Sequence, residues 1–111
     1  MAALTPLSAA EVSARIKAGK AVLVDIREPD EVAQERIAGS VVKSLSAFDA
    51  ADIDHGPHQD VIYMCRSGAR TGMNCIRLAA QVPGEAFVLE GGLNAWKAAG
   101  LPTVSGSGKT A

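Results

Sequence analysis

Two short apolar runs, AVLVDI at residues 21–26 and DVIYM at 60–64, each break off into a polar turn bearing Pro or Gly and then into a segment with helical spacing. Runs of five or six residues rich in Val and Ile are too short for buried helices and read as strands. An apolar strand that feeds directly into a crossover helix, and does so twice, buries both of its faces in a mainly parallel sheet with helices on both sides. The flanking segments fit that α/β plan. Ser8 and Glu11 have the spacing of a capping box, Val12 and Ile16 lie on one helical face, and Gly19 can end that helix. Pro29 is placed as the first residue of a second helix. Val41 and Val42 carry a weaker strand signal, Ser46 to Ala51 a short helical turn, and DIDHGPHQD a loop. A helical pattern resumes near Thr71 with Met73, Ile76 and Ala80 facing inward. Ala86 to Leu89 reads as a further strand, Gly91 and Gly92 as a turn, and Leu93 to Ala99 as a last helix stopped by Gly100 and Pro102.

With 111 residues, 48% of them hydrophobic and 21% charged, the chain suits one soluble globular domain. Its expected extent is residues 1–104, with SGSGKTA at 105–111 a flexible tail. A formal net charge of −1 provides no global field for nucleic acid or an acidic membrane surface, so attraction for an anion has to be local. Glu11, Arg15 and Lys17 interrupt the N-terminal apolar residues, which therefore lack the pattern of a secretory signal, and no stretch is long enough to span a bilayer. Two cysteines, Cys65 and Cys75, are too few for a disulfide framework and do not match metal-ligand spacing. Free thiols in a reducing compartment, and hence a cytoplasmic location, are expected.

The chemistry concentrates after the second strand. In such sheets, sites form at the carboxyl ends of strands, which is where Cys65 falls. A thiol between a strand and a helix start faces backbone N–H groups that the helix cannot satisfy, and these stabilise a thiolate. Gly68 can take the positive φ that lets a short loop curl its amides around one sulfur. Arg66 and Arg70 add charge that lowers the thiol pKa and attracts an anionic substrate. A buried inert cysteine would not be followed by Arg, Ser, Gly and Arg.

The run CRSGART resembles the active-site loop of rhodanese-like sulfurtransferases. VDIREPDEV resembles that family's Asp-Val-Arg-Glu segment, ERIAGSV is similar to its His-Ile-Pro-Gly-Ala segment, and LEGGLNAWKAAGLP is similar to its C-terminal Gly-Gly-x-x-x-Trp signature. Four motifs in register cover roughly residues 5 to 104. The resemblance implies a mainly parallel sheet of about five strands, and a cysteine that takes a sulfane sulfur from a donor such as thiosulfate, becomes a persulfide, and passes the sulfur to a thiophilic acceptor such as cyanide or a thiol. Carried to this chain, Cys65 is the sulfur carrier, and Arg66, Ser67, Gly68, Ala69 and Arg70 form the persulfide-binding loop, their amides holding the sulfur. Arg66 and Arg70 hold the oxyanionic end of the donor. Thr71, which closes the run, is a supporting residue. Double displacement on one activated nucleophile needs no metal or organic cofactor. The implied partners are a small sulfur donor and acceptor or a sulfur-relay protein, without nucleic acid or membrane contact. Arg36 stands where many members have His and Ala38 where many have Pro, so that turn is expected to be built differently.

Other residues have plainer readings. Asp25, at a strand's carboxyl end, is positioned to orient an arginine of the neighbouring active loop. Arg27 is expected to pair with an acid such as Glu28 or Glu31, and Trp96 to pack in the core. Gly91 and Gly92 fit turn geometry. GSGKT resembles part of a phosphate-binding loop but lacks room for the helix that must follow. His55 and His58 read as solvent-exposed, and Cys75 as helix packing too far along for an unstrained disulfide with Cys65. Among rival chemistries, a related phosphatase would have five residues between Cys and Arg, whereas Cys65 and Arg70 enclose four. A thiol–disulfide oxidoreductase would want a second Cys where Gly68 stands. A non-catalytic interaction or relay module of the same fold often lacks the cysteine altogether.

Overall fold

The computed structural model of the chain describes residues 3–46 and 58–105. Five strands, β1 (Thr5–Leu7), β2 (Ala21–Asp25), β3 (Val41–Val42), β4 (Asp60–Met64) and β5 (Phe87–Leu89), form one parallel sheet in the order β1-β5-β4-β2-β3. Among the described residues the helices are α1 (Ala9–Lys17), α2 (Pro29–Gln34), α3 (Ala69–Met73), α4 (Cys75–Ala79) and α5 (Gly92–Ala98). The central strands alternate as the two-residue period of a strand demands. Leu23, Ile62 and Met64 face Val12 of α1 and Leu93 and Trp96 of α5, while Val24, Val61, Tyr63 and Cys65 face Leu78 of α4. Helices thus cover both faces, and Trp96 is core, its indole N–H donating to the Pro102 carbonyl at 2.8 Å. No helix among the described residues is long and apolar enough to cross a membrane.

The expected helix starts hold. The Ser8 hydroxyl accepts from the Glu11 amide at 3.2 Å, and Pro29 opens α2. The segment after Cys65 differs. Its helix begins at Ala69, two residues before the expected Thr71, and breaks at Asn74, whose side chain donates to the Arg70 carbonyl at 2.8 Å. Thr71 and Leu78 are the residues turned inward, whereas Met73, Ile76 and Ala80, expected inside, are exposed. Residues seven apart share a face at about 100° per residue, so seating Thr71 beside Cys65 and Leu78 in the core turns Met73 and Ile76 outward. Cys75 begins α4 and is half-buried. β1 carries no alternating pattern of its own; it exists by pairing Thr5, Pro6 and Leu7 with Phe87, Val88 and Leu89 at a sheet edge, where a proline is tolerated.

Arg36 and Val104 exchange backbone hydrogen bonds of 2.9 and 2.8 Å, and the Arg36 guanidinium donates to Ser40, so the Arg36 side chain ties this turn together. Leu45 and Ser46 have 3₁₀-helical backbone; Ala47 to Ala51, His55 and the tail from Gly106 lie outside the described residues, and His58 is exposed.

Candidate active site

β4 ends at Met64, and the next residue, Cys65, is 1% exposed with its side chain on the α4 side of the sheet. Gly68 adopts φ +95°, the left-handed turn expected for it, and its amide donates to the Cys65 Sγ at 3.1 Å. The Thr71 hydroxyl stands 3.7 Å from Sγ and 2.9 Å from the Gly68 carbonyl, so its single proton can go to the carbonyl, or to the sulfur once the sulfur is ionised. Burial pushes the thiol pKa up, but hydrogen bonds from the Thr71 amide and hydroxyl and from the Gly68 and Arg70 amides outweigh it, and the net direction is down. Ser67 and Ala69 belong to the exposed rim, the Ala69 amide donating to the Ser67 hydroxyl at 3.4 Å.

The loop is also held by its carbonyls. The Cys65 and Arg66 carbonyls accept from the Leu93 and Asn94 amides of α5 at 2.9 and 3.0 Å. A Cβ at Gly92 would lie 2.3 Å from the Cys65 oxygen and 2.8 Å from that of Arg66, so this glycine serves close packing as well as its turn, where φ is +58°. The Gly-Gly pair was read from sequence as a turn; that it is the seat of the Cys65 loop was not.

The charged residues are distributed differently from expectation. Asp25 does not orient an arginine of the active loop. Its carboxylate accepts from Nε and Nη2 of Arg27, at 3.0 and 2.7 Å, and from the Arg27 amide at 3.0 Å, and the two residues are 0% and 2% exposed. Asp25 lies in register with Met64, so this ion pair sits under the loop, and the carboxylate that partners Arg27 is neither Glu28 nor Glu31. Arg70 is instead clasped by Glu31 of α2, with contacts of 2.6 and 2.9 Å. That guanidinium holds the Glu31 carboxyl down at about 2, and the Arg70 pKa is raised in turn. Glu31 was missed as a site residue because it lies thirty-nine positions from Arg70; from sequence it was read as a partner for Arg27, and it also accepts from the Glu28 amide at 3.2 Å at the start of α2. Arg66 is exposed and has no ion pair with a described residue. It lines a polar cleft of about 300 Å³ with Arg27, Glu31, Glu35, Asn94 and Lys97. On the other side of the loop, Gly68 and Thr71 line a second cleft of about 370 Å³.

Comparison with known proteins identifies the family. The family model of the Rhodanese-like domain matches residues 8–99. A protein named sulfurtransferase from Allochromatium vinosum is 37% identical over 87 residues, covering 78% of this chain and 81% of its own. Among solved structures, thiosulfate sulfurtransferase from Pseudomonas aeruginosa superposes with a TM-score of 0.74 at 25% identity, over 93% of this chain but 20% of its own. A protein of unknown function from Rhodopseudomonas palustris, described as a possible tyrosine phosphatase, superposes with a TM-score of 0.71 at 25% identity, over 89% of this chain and 83% of its own. From the match over most of its length, its motifs and its parallel five-stranded fold, the chain belongs to the Rhodanese-like domain family.

Proposed function

We propose that the chain is a sulfurtransferase in which Cys65 carries the sulfur as a persulfide. The observation that carries this reading is the ring closed on Cys65: the Gly68 amide 3.1 Å from a buried sulfur, joined by the Arg70 and Thr71 amides, with four residues between Cys65 and Arg70. Such a ring stabilises both a thiolate and the terminal sulfur anion of a persulfide. With thiosulfate as donor, the Cys65 thiolate attacks the outer sulfur, a new S–S bond forms, the old one breaks, and sulfite leaves with the electron pair. Cyanide or a thiolate then attacks the terminal sulfur and Cys65 leaves as thiolate, so the cycle needs no external oxidant or reductant. Arg66, which has no ion pair among the described residues, supplies positive charge at the rim for an oxyanionic donor. The name carried by the Allochromatium relative supports the transferase class, and the Pseudomonas structure supports thiosulfate as a donor to try first.

The test is intact mass after incubation with thiosulfate, followed by thiocyanate release on adding cyanide. The wild type should gain the mass of one sulfur atom, and Cys65→Ser should gain nothing and release no thiocyanate. Sulfur uptake that persists without Cys65 would refute the mechanism. Aryl phosphate hydrolysis through Cys65, with no sulfur uptake from thiosulfate or a persulfide, would favour the phosphatase suggested for the Rhodopseudomonas structure. Neither activity, with a partner protein bound, would favour an interaction module.

A further inference from the structure

Arg70 and the cations of the polar cleft, Arg27, Arg66 and Lys97, stand around the Cys65 loop, and all but one are neutralised. Arg27 is bound to Asp25 at 2.7 Å, Lys97 to Glu35 at 2.9 Å and Arg70 to Glu31 at 2.6 Å. Arg66 is exposed and has no ion pair with a described residue. Neutralising Arg70 matters most to the sulfur, because Arg70 belongs to the loop. Its amide joins the donors to Sγ, while both terminal nitrogens of its guanidinium lie on Glu31. The carboxylate is itself fixed from behind, since the Oε1 that accepts from Arg70 also accepts from the Glu28 amide at the start of α2. Arg66 accordingly lines the polar cleft, and Arg70 lines neither of the two clefts beside the loop. A guanidinium paired in this way offers an incoming anion no net charge, whereas the same group released beside a thiolate would draw anions toward it.

We infer that Glu31 is a positioning residue that sets the charge selectivity of the site: it clasps the Arg70 guanidinium so that the backbone of Arg70 serves the sulfur and Arg66 alone selects an incoming anion. The inference rests on the Cys65 nucleophile proposed above and names the residue that regulates which charges reach it. Arg66 and Arg70 both stand within five positions of Cys65, so without the clasp the loop would present two positive charges and favour dianions. With it, a single charge faces the rim, and neutral and singly charged reactants keep their access.

The Cys65 thiolate displaces iodide from iodoacetate and from iodoacetamide with the same C–S bond formed, and the two reagents differ by one negative charge. The ratio of their rates therefore reads charge at the sulfur, while a loosened loop or a shifted thiol pKa moves both rates together. The starting protein is Cys75→Ser, which leaves Cys65 as the one thiol. Glu31→Gln should raise the ratio of iodoacetate to iodoacetamide at least about five-fold, and Arg66→Ala should lower it at least about five-fold. Glu31→Asp keeps the charge and should hold the ratio within about two-fold of the starting protein; Glu31→Gln with Arg70→Gln removes the pair as a whole and should do the same. Should Glu31→Gln fail to fold, salt provides the second measurement: sodium chloride should slow iodoacetate on the starting protein and have no such effect on Arg66→Ala. A ratio indifferent to Glu31→Gln, a double variant that loses selectivity as deeply as Arg66→Ala, or a salt effect that survives Arg66→Ala would overturn the role of Glu31. Sulfur gain from thiosulfate is read separately on the starting protein. The expected alkylation pattern without any sulfur gain would overturn the persulfide and leave Glu31 in its role.

Discussion

Buried thiols ordinarily hold their proton, so the ionisation of Cys65 depends on donors the loop aims at one atom. Thr71 supplies both an amide and a hydroxyl. Thr71→Val removes the hydroxyl at nearly constant volume, and the midpoint of Cys65 alkylation against pH should move upward; Thr71→Ser should keep it close to that of the wild type. A midpoint indifferent to valine would leave the amides as sole activators. Arg27 and Arg66 do different jobs. Arg27, 2% exposed and bound to Asp25, is buried in an ion pair, and Arg27→Met strands a buried carboxylate at a cost of about 3–5 kcal/mol, readable by urea denaturation. Arg66→Ala should shift stability by no more than about 0.5 kcal/mol and still slow loading from thiosulfate. The turn of the loop around Cys65 was legible in the sequence because its residues are contiguous, from Cys65 to Thr71. The partners of the arginines were not, because Asp25–Arg27 and Glu31–Arg70 are choices among several nearby acids that three-dimensional packing decides.

An element can be read from sequence when its own residues suffice to form it. β2 and β4 declare themselves by apolar runs and α1 by its cap, and all three stand close to where they were expected. The stretch from Ala69 to Ala79 did not, because its phase is set by Thr71 meeting a sulfur and by Tyr63, whose hydroxyl donates to the Leu78 carbonyl at 2.8 Å. The first turn of α5 also works for another element: its Leu93 and Asn94 amides hold the carbonyls of the active loop. Gly92→Ala sets a methyl against the Cys65 oxygen in a left-handed conformation and should cost at least about 1–3 kcal/mol. Sulfur loading should fall by more than the unfolded fraction explains. Loading that merely tracks stability would mean the loop keeps its shape without this seat.

Across the whole molecule, Glu31–Arg70 ties α2 to the loop that follows β4, and the pair has a pH signature. The Glu31 carboxyl is depressed from 4.5 to about 2, so its contribution to stability is present above 4.5 and is lost as pH falls through 2. Glu31→Gln should flatten the stability-against-pH curve in that window and leave it unchanged in shape near neutrality; a curve as steep as the wild type's would exclude the pair as its cause. Fold class, too, is a property of the whole, and it was legible from the alternation of strands and helices, whereas β1 was not, since its three residues become a strand through a partner eighty-two positions away. That distant partnership governs the order in which the molecule can be made. Contacts this far apart in sequence close late, because the entropy of the intervening chain must be surrendered first. During synthesis, Thr5–Leu7 must wait until Phe87–Leu89 has emerged. The edge of the cleft beside Gly68 and Thr71, where Leu4 and Pro6 meet Val88, is therefore the last part of the sheet to assemble, and amide exchange should find it among the first to open.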